Sequence, residues 1–325
     1  MKREAEGGVK YRILPGINTR RNVESLLYIS EYQVNMTRVL VTGANGQLGN
    51  ELRKLSGLNQ DLEFIFTDVD ELNITNENEV NQFIENEPVR FLINCAAYTA
   101  VDRAEDEPEK AFLLNADAVD IIGRICTRHN IQLIHYSTDF IFDGKHRKPY
   151  VEADIPDPAS VYGKSKLAGE YHLQKLNAGI IIRTSWLYSS FGHNFVKTIL
   201  RLAAEQVELR VVDDQIGSPT WAADLAGITL EIINRLKNKK NPPQYGLYHY
   251  SNEGTCSWYD FAEEIVKLAG LKIKIHPVST SEYPSKARRP AYSVLDKSLI
   301  RNWLNIKIPN WKDSLAKCMG ITKHQ

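Results

Sequence analysis

From Arg38 onward the chain alternates short apolar runs with longer amphipathic ones, and this rhythm restricts the fold more than any other feature. RVLVTG, LEFIFTD, VRFLINCAA, IQLIHYST and IIIRTSWLY read as strands. GQLGNELRKLSG, NENEVNQFIENE and EPEKAFLLNADAVDIIGRICTRHN read as helices between them, the last as one continuous helix. Strands that alternate regularly with helices form βαβ units, hence a parallel sheet covered on both faces. After about Tyr188 the pattern changes. Helical stretches (FGHNFVKTILRLAAEQ, WAADLAGITLEIINRL, CSWYDFAEEIVKLAG) follow one another through Gly- and Pro-bearing loops such as DDQIGSPT and KNKKNPPQYG. The expected organisation is a doubly wound sheet domain over 36–188 and a smaller, mainly helical region over 189–325. The strand-like GLYHYSN returns to the sheet, so the two are partly interleaved. Residues 1–35 stand apart. They are basic, lack the apolar stretch of a signal peptide and precede a second methionine, Met36. They read as a poorly ordered arm or as the product of a start codon placed too early.

Charge and cysteine usage narrow the partners. Lys plus Arg and Asp plus Glu both number 40, so the net charge is zero and nothing points to nucleic acid or an acidic membrane surface. No apolar run approaches the length of a membrane-spanning helix. Cys95, Cys126, Cys256 and Cys318 are scattered without a C-x-x-C pair, the usage expected of reduced thiols in the cytoplasm.

VTGANGQLG sets Gly43, Gly46 and Gly49 between the first strand and the first helix. A tight turn and close approach of backbone to a diphosphate both need residues without side chains, and the helix N-terminus adds free N–H groups. The strand–loop–helix context makes the triplet a dinucleotide signal and the fold Rossmann-type. The spacing is G-x-x-G-x-x-G, and the loop does not run into the G-K-[ST] of a P-loop, so a kinase or ATPase reading loses its main support. Asp68, closing the second strand, is placed to accept hydrogen bonds from the adenosine ribose, which leans towards NADH. Asp70 stands near enough to share that role, and a solvated loop carboxylate is the alternative for both. NCAAYTAVD puts small residues after the third strand, where a cofactor would pass.

The fourth strand ends HYSTDFIFDG, with Ser137, Thr138 and Asp139 at the carboxyl edge of the sheet. The next helix begins ASVYGKSKLAGEYHL, with Tyr162 and Lys166 four residues apart on one face. Taken alone, the pair is better read as a helix start capped by Ser160 with Tyr162 packed inward. Together with the threonine it makes a proton-transfer set. A phenol ordinarily titrates near pH 10, and a neighbouring ammonium is expected to lower that value. Thr138 is placed to hydrogen-bond a developing oxyanion.

Through TGANGQLG, STDFIFDG and YGKSK the chain resembles the extended short-chain dehydrogenase/reductase family. Through NCAAYTAVDRAE, YGKSKLAGE, RTSWLY, NFVKTILRLA, VVDDQIGSPT and ARRPAYSVLD it resembles the branch that acts on dTDP-sugars, from Arg38 to the C-terminus. The resemblance implies NADPH or NADH as cofactor and a dTDP-sugar as substrate. The implied reaction reduces the C4 keto group of dTDP-4-dehydro-6-deoxy-L-mannose to give dTDP-L-rhamnose. Carried over, Tyr162 is the proton donor, Lys166 its partner and Thr138 the third catalytic group. Implied cofactor contacts are Gly43, Asn45, Gly46, Gln47, Leu48, Gly49, Asp68, Asn73, Ile74, Ala96, Ala97 and Tyr98, with Tyr162 and Lys166. Implied substrate contacts are Thr99, Val101, Thr138, Asp139, Phe142, Trp186 and Arg289, where a core tryptophan and a surface arginine are the alternatives for the last two. Asn73 stands where aspartate is common in the family, which leaves the choice of cofactor open, and Phe140 stands where tyrosine is frequent. Some relatives hold Mg2+ through carboxylates at a homodimer contact, but that set has no clear counterpart here and no metal ligand is assigned. Two other readings share the fold: another nucleotide-sugar reductase or epimerase, and a non-catalytic regulatory subunit. Intact Thr138, Tyr162 and Lys166 argue against the latter.

Overall fold

The structure, a computed structural model, describes residues 36–239 and 245–320. The expectations for residues 1–35 and for part of the KNKKNPPQYG loop lie outside the described residues. Strands β1 (Thr37–Thr42), β2 (Leu62–Thr67), β3 (Phe91–Asn94), β4 (Gln132–Thr138) and β5 (Gly179–Thr184) pair in parallel. They are separated by helices α1 (Gln47–Ser56), α2 (Glu77–Asn86), α3 (Ala118–Arg128) and α4 (Val161–Lys175). The later chain supplies α5 (Phe195–Glu205), β6 (Glu208–Val212), α6 (Ala222–Lys237), β7 (Tyr245–His249), α7 (Trp258–Leu268) and β8 (Lys274–Val278). β7 joins β5 as the sixth parallel strand, and the sheet order is β7-β5-β4-β3-β1-β2.

Successive residues of a strand face opposite sides, so each run of β-branched and leucine residues feeds two cores. Val39, Val41, Ile93, Ile134 and Ile182 pack with Leu52 of α1 and Ile232 and Leu236 of α6. Leu40, Leu92, Leu133 and Ile181 pack on the other side with Ile84 of α2, Ile122 and Ile125 of α3, and Leu173 of α4. A third core joins Val196, Leu209, Phe261, Ile265 and Ile275 of the later elements. Among the described residues no helix is long and apolar enough to cross a membrane.

Two elements depart from the sequence reading. The stretch expected as one helix over 107–130 is broken into Pro108–Phe112, a π-helical turn Leu113–Asp117, and α3. Asn115 causes the break. Its side chain bonds both backbone groups of Tyr98 and the Ser165 hydroxyl, and α4 presses so close that a Cβ on Gly169 would lie 2.2 Å from the Asn115 carbonyl. IIIRTSWLY likewise does not run as one strand. β5 stops at Thr184, and Trp186 adopts a left-handed φ of 48°.

The chain leaves β1 for β2 on one side and reaches β3 on the other, so the strand order reverses between β1 and β3. Crevices at such reversals, outside the carboxyl ends of the strands, are where open α/β sheets take ligands.

Candidate active site

The glycine loop lies at that reversal. Gly43 has φ +64°, and a Cβ there would meet the Ala96 nitrogen at 2.5 Å, so the turn after β1 and the chain after β3 touch backbone to backbone. A Cβ on Gly49 would meet the Ala44 Cα at 2.5 Å. That glycine lets α1 settle on its own loop, and it is not among the residues lining the two cavities described next. Gly46 differs from both. A Cβ there meets only the Gly43 carbonyl, at 3.3 Å, and the residue stands between two cavities of about 550 and 600 Å³. The smaller is lined by Gly43, Asn45, Asp68, Asn73, Ile74 and Ala96, and Ala97 borders both. The Asp68 carboxylate accepts hydrogen bonds from the backbone N–H groups of Asn45 and Val69, tying the loop to the end of β2. The cradle a side chain at Gly46 would intrude on, at the N-terminus of α1, fits a dinucleotide diphosphate. Tyr98 is expected at this wall but turns away, and its hydroxyl donates to Glu107 at 2.7 Å.

The larger cavity holds Thr138, Tyr162 and Lys166 together with Gln47, Leu48, Thr99, Val101, Asp139, Trp186 and Arg289. Local sequence explains the convergence. Ser160 caps α4 by accepting from the Gly163 N–H at 3.1 Å. A Cβ on Gly163 would lie 2.2 Å from the Phe140 carbonyl, so only glycine lets the helix start sit against the turn after β4. That contact carries Tyr162 to Thr138, with the Phe140 ring edge-on to the phenol.

The electrostatics differ from expectation. Burial pushes the Tyr162 phenol up to about 12, and the Thr138 hydroxyl beside it only partly offsets this. Lys166 does not set that value. Its Nζ donates to the Tyr136 carbonyl at 2.6 Å, and burial brings it down to about 8 against the pull of Glu170. Glu170 is itself paired with buried Arg183 at 2.7 Å. Thr138 donates to the Asp139 carboxylate at 3.1 Å and accepts from the Phe140 N–H at 3.2 Å. Burial raises the Asp139 carboxyl to about 6, while the Ser293 and Thr138 hydroxyls work the other way. Asp139 Oδ2 and Ser137 Oγ are buried without a hydrogen-bond partner, which costs stability.

On the far wall the Trp186 and Trp258 indoles stack at 3.5 Å, 7° from parallel. A Cβ on Gly217 would lie 2.5 Å from Trp186, which accounts for the glycine in DDQIGSPT. Trp258 carries no motif in the sequence and could be placed only by the fold. Arg289 pairs with Asp102 at 2.7 and 3.1 Å and stands where the cleft meets a further cavity of about 370 Å³ that also touches Trp258. The Asp102 carboxyl is held below its usual range, chiefly by this hydrogen bond. Phe142 is not on the cleft wall. It is buried and stacked on Tyr150 at 4.1 Å, a core position that corrects its expected substrate contact. Among the described residues no group of three or more His, Cys, Asp or Glu converges as magnesium would require, and no step is assigned to a metal.

A parallel sheet with a glycine-lined crevice at its reversal point, and Thr, Tyr and Lys beside it, defines a nucleotide-dependent oxidoreductase of the short-chain dehydrogenase/reductase class. The profile of the RmlD substrate binding domain matches residues 36–323. A dTDP-4-dehydrorhamnose reductase of Aggregatibacter actinomycetemcomitans is 41% identical over 287 residues, covering 86% of this chain and 97% of that protein. The spore coat polysaccharide biosynthesis protein SpsK of Bacillus subtilis is 43% identical, over 87% of this chain and 96% of its own. The crystal structure of dTDP-4-dehydrorhamnose reductase from Bacillus anthracis in complex with NADP has a TM-score of 0.83 at 39% identity, covering 88% of this chain and 100% of the other. The chain belongs to the dTDP-4-dehydrorhamnose reductase family.

Proposed function

We propose that this chain reduces the C4 keto group of dTDP-4-dehydro-6-deoxy-L-mannose to dTDP-L-rhamnose with NADPH or NADH. The observation that carries the reading is one continuous cleft. It runs from the loop at Gly46, past Tyr162, Lys166 and Thr138, to the paired indoles of Trp186 and Trp258. Residues 36–188 then hold mainly cofactor and 189–325 mainly substrate. The crevice at Gly43, Asn45, Gly46, Asp68 and Ala96 would take the dinucleotide, and its reduced nicotinamide supplies the hydride. Asp68 biases the choice towards NADH, since a carboxylate repels a 2′-phosphate. The four free cysteines and the cofactor pool agree with a cytoplasmic setting.

In the cleft Tyr162 stays protonated at neutral pH and is loaded as the acid. Its proton goes to the sugar oxygen as negative charge builds there. Ser137, Thr138 and Asp139 line the same cleft beside the place given to the sugar. The flat face of Trp186, backed by Trp258, supports the apolar side of the sugar ring. Arg289 meets the diphosphate at the mouth, and the cavity bordered by Phe195, Leu209 and Tyr283 takes the nucleoside.

The test is oxidation of NADH and NADPH by the purified protein with enzymatically generated dTDP-4-dehydro-L-rhamnose. The reading requires sugar-dependent oxidation that Tyr162→Phe abolishes while cofactor binding persists. No oxidation by a protein that still binds cofactor would overturn it.

A further inference from the structure

The Arg289 guanidinium carries five N–H donors on a rigid plane, and three of them are committed within the protein. The Asp102 carboxylate spans its end. Nη1 donates to Oδ1 at 3.1 Å and Nη2 to Oδ2 at 2.7 Å. Nη1 also donates to the Ala287 carbonyl at 3.3 Å, which uses its second hydrogen. Among the described residues Nε has no partner, and Nη2 keeps one hydrogen. Nη2 is the terminal nitrogen on the Nε–H side of the plane, so the two uncommitted donors share one edge. Such an edge matches two oxygens of a phosphate. The frame behind the guanidinium is tied down as well. The Ala287 backbone N–H donates to Asp102 Oδ1 at 3.1 Å, and its carbonyl also accepts from Ser285 Oγ at 3.0 Å. Ala287 is fully buried, and Lys286 beside it pairs with Asp106 at 2.5 Å. Asp102 thereby fastens the 285–289 loop to the segment after β3, next to Thr99 and Val101 of the cleft wall.

Stability is a poor reason for this pair. The Asp102 and Arg289 side chains are 46% and 26% exposed, and ion pairs that water reaches contribute little. What the pair fixes is the direction of a long side chain that stands where the cleft joins the cavity of about 370 Å³. We propose that Asp102 is a positioning residue that holds Arg289 by one edge and aims the free Nε–H and Nη2–H fork at the diphosphate of a nucleoside diphosphate-linked substrate. The inference rests on the reading of Arg289 as the diphosphate contact. A carboxylate so close to an anion site repels the ligand, so charge alone gives no reason for an aspartate here. The benefit is that the arginine is ordered before the ligand arrives and the cost of ordering it is not charged to binding.

The experiment titrates the full chain with dTDP alone in a calorimeter, so no turnover is needed. Arg289→Ala should weaken dTDP binding about 10- to 150-fold, the range of hydrogen bonds to charged groups. Removing the Asp102 charge changes the repulsion of dTDP whether or not Arg289 is present, so a double-mutant cycle cancels that contribution. Asp102→Ala should then cost about 2- to 12-fold more dTDP affinity in the parent than in Arg289→Ala, the range for ordering one long side chain on binding. The Nε–H signal of Arg289 in 15N-arginine-labelled protein, assigned by its loss in Arg289→Ala, should move downfield when dTDP is added, and less so in Asp102→Ala. If Arg289→Ala binds dTDP as the parent does, the diphosphate contact of the proposed function fails and this inference with it. If Arg289→Ala is weakened but Asp102→Ala has the same effect in both backgrounds, the positioning role alone is overturned. An Nε–H signal that ignores dTDP in the unaltered protein also overturns it, even if Asp102→Ala fails to fold.

Discussion

Three glycines of one loop are absent side chains for three different reasons, and replacing each by alanine separates them. At Gly43 an added methyl meets backbone atoms of Ala96 at 2.5 and 2.6 Å on a residue with φ +64°. The left-handed conformation costs about 1–2 kcal/mol for an L side chain. Overpacking against immovable backbone adds about 1–3 kcal/mol. Gly43→Ala should therefore lose about 2–5 kcal/mol of stability. At Gly49 the methyl meets Ala44 backbone at 2.5 Å. The overpacking cost of about 1–3 kcal/mol is offset there by about 1 kcal/mol of helix propensity. Gly49→Ala should be mildly destabilised and should still bind cofactor. At Gly46 the backbone is extended, with φ −72°, and the single contact at 3.3 Å is relieved by a small shift. Stability should change by no more than about 1 kcal/mol. Gly46 does, however, border both cavities, so an added methyl is expected to take up space in the crevice assigned to the diphosphate. An overlap of about 1–3 kcal/mol there weakens cofactor binding about 5- to 150-fold. Denaturant unfolding without nucleotide measures the first quantity, and quenching of tryptophan fluorescence by NADPH measures the second. The reasoning is refuted if Gly46→Ala binds NADPH as tightly as the parent, or if Gly43→Ala unfolds at the same denaturant concentration.

Asp68→Ala should shift the ratio of kcat/KM for NADPH over NADH upward, and an unchanged ratio removes the carboxylate from cofactor choice. Trp258→Ala strips the backing from Trp186 and should raise KM for the sugar nucleotide about two- to tenfold with a smaller effect on kcat; a change in kcat alone would contradict the stacked-wall reading. Asp139 carries the pH dependence. Its carboxyl is raised from 3.8 to about 6, so the folded state binds a proton more tightly than the unfolded one, and stability falls as pH rises from about 4 through 6. Asp139→Asn, which can still accept from Thr138, should be more stable than the parent at pH 7.5 by at most about 3 kcal/mol, with the gain gone below about pH 4 in urea unfolding.

The parallel sheet and its glycine loop were legible because both follow from local pattern: apolar runs of strand length, glycines at a strand–helix junction, a helix capped at Ser160. Features decided by tertiary contact were not. The break at Asn115 exists because Gly169 brings α4 against it and Tyr98 claims its side chain, and no periodicity within 107–130 records either neighbour. Phe142 and Trp186 both sit just beyond the end of a strand. Only the positions of Tyr150 and Trp258 decide that the first is core and the second lines the cleft. The same holds for Gly49, where residue type was right for the motif and the reason was helix packing.

The largest revision concerns acidity. A lysine one turn from a tyrosine invites the inference that the ammonium depresses the phenol, but that treats both groups as solvated. Here burial is the first cause acting on Tyr162, Lys166 and Asp139, and in each it favours the uncharged form. For a reduction this is the useful direction. A ketone is too weak a base to take a proton from a phenol, whereas the alkoxide left by hydride transfer is a far stronger base than phenolate. Proton transfer from Tyr162 is then downhill once hydride has moved and uphill before it. A phenol pushed up to about 12 therefore remains loaded until it is needed. On the proposed reading, burial in the cleft suppresses charge on these groups before the reaction.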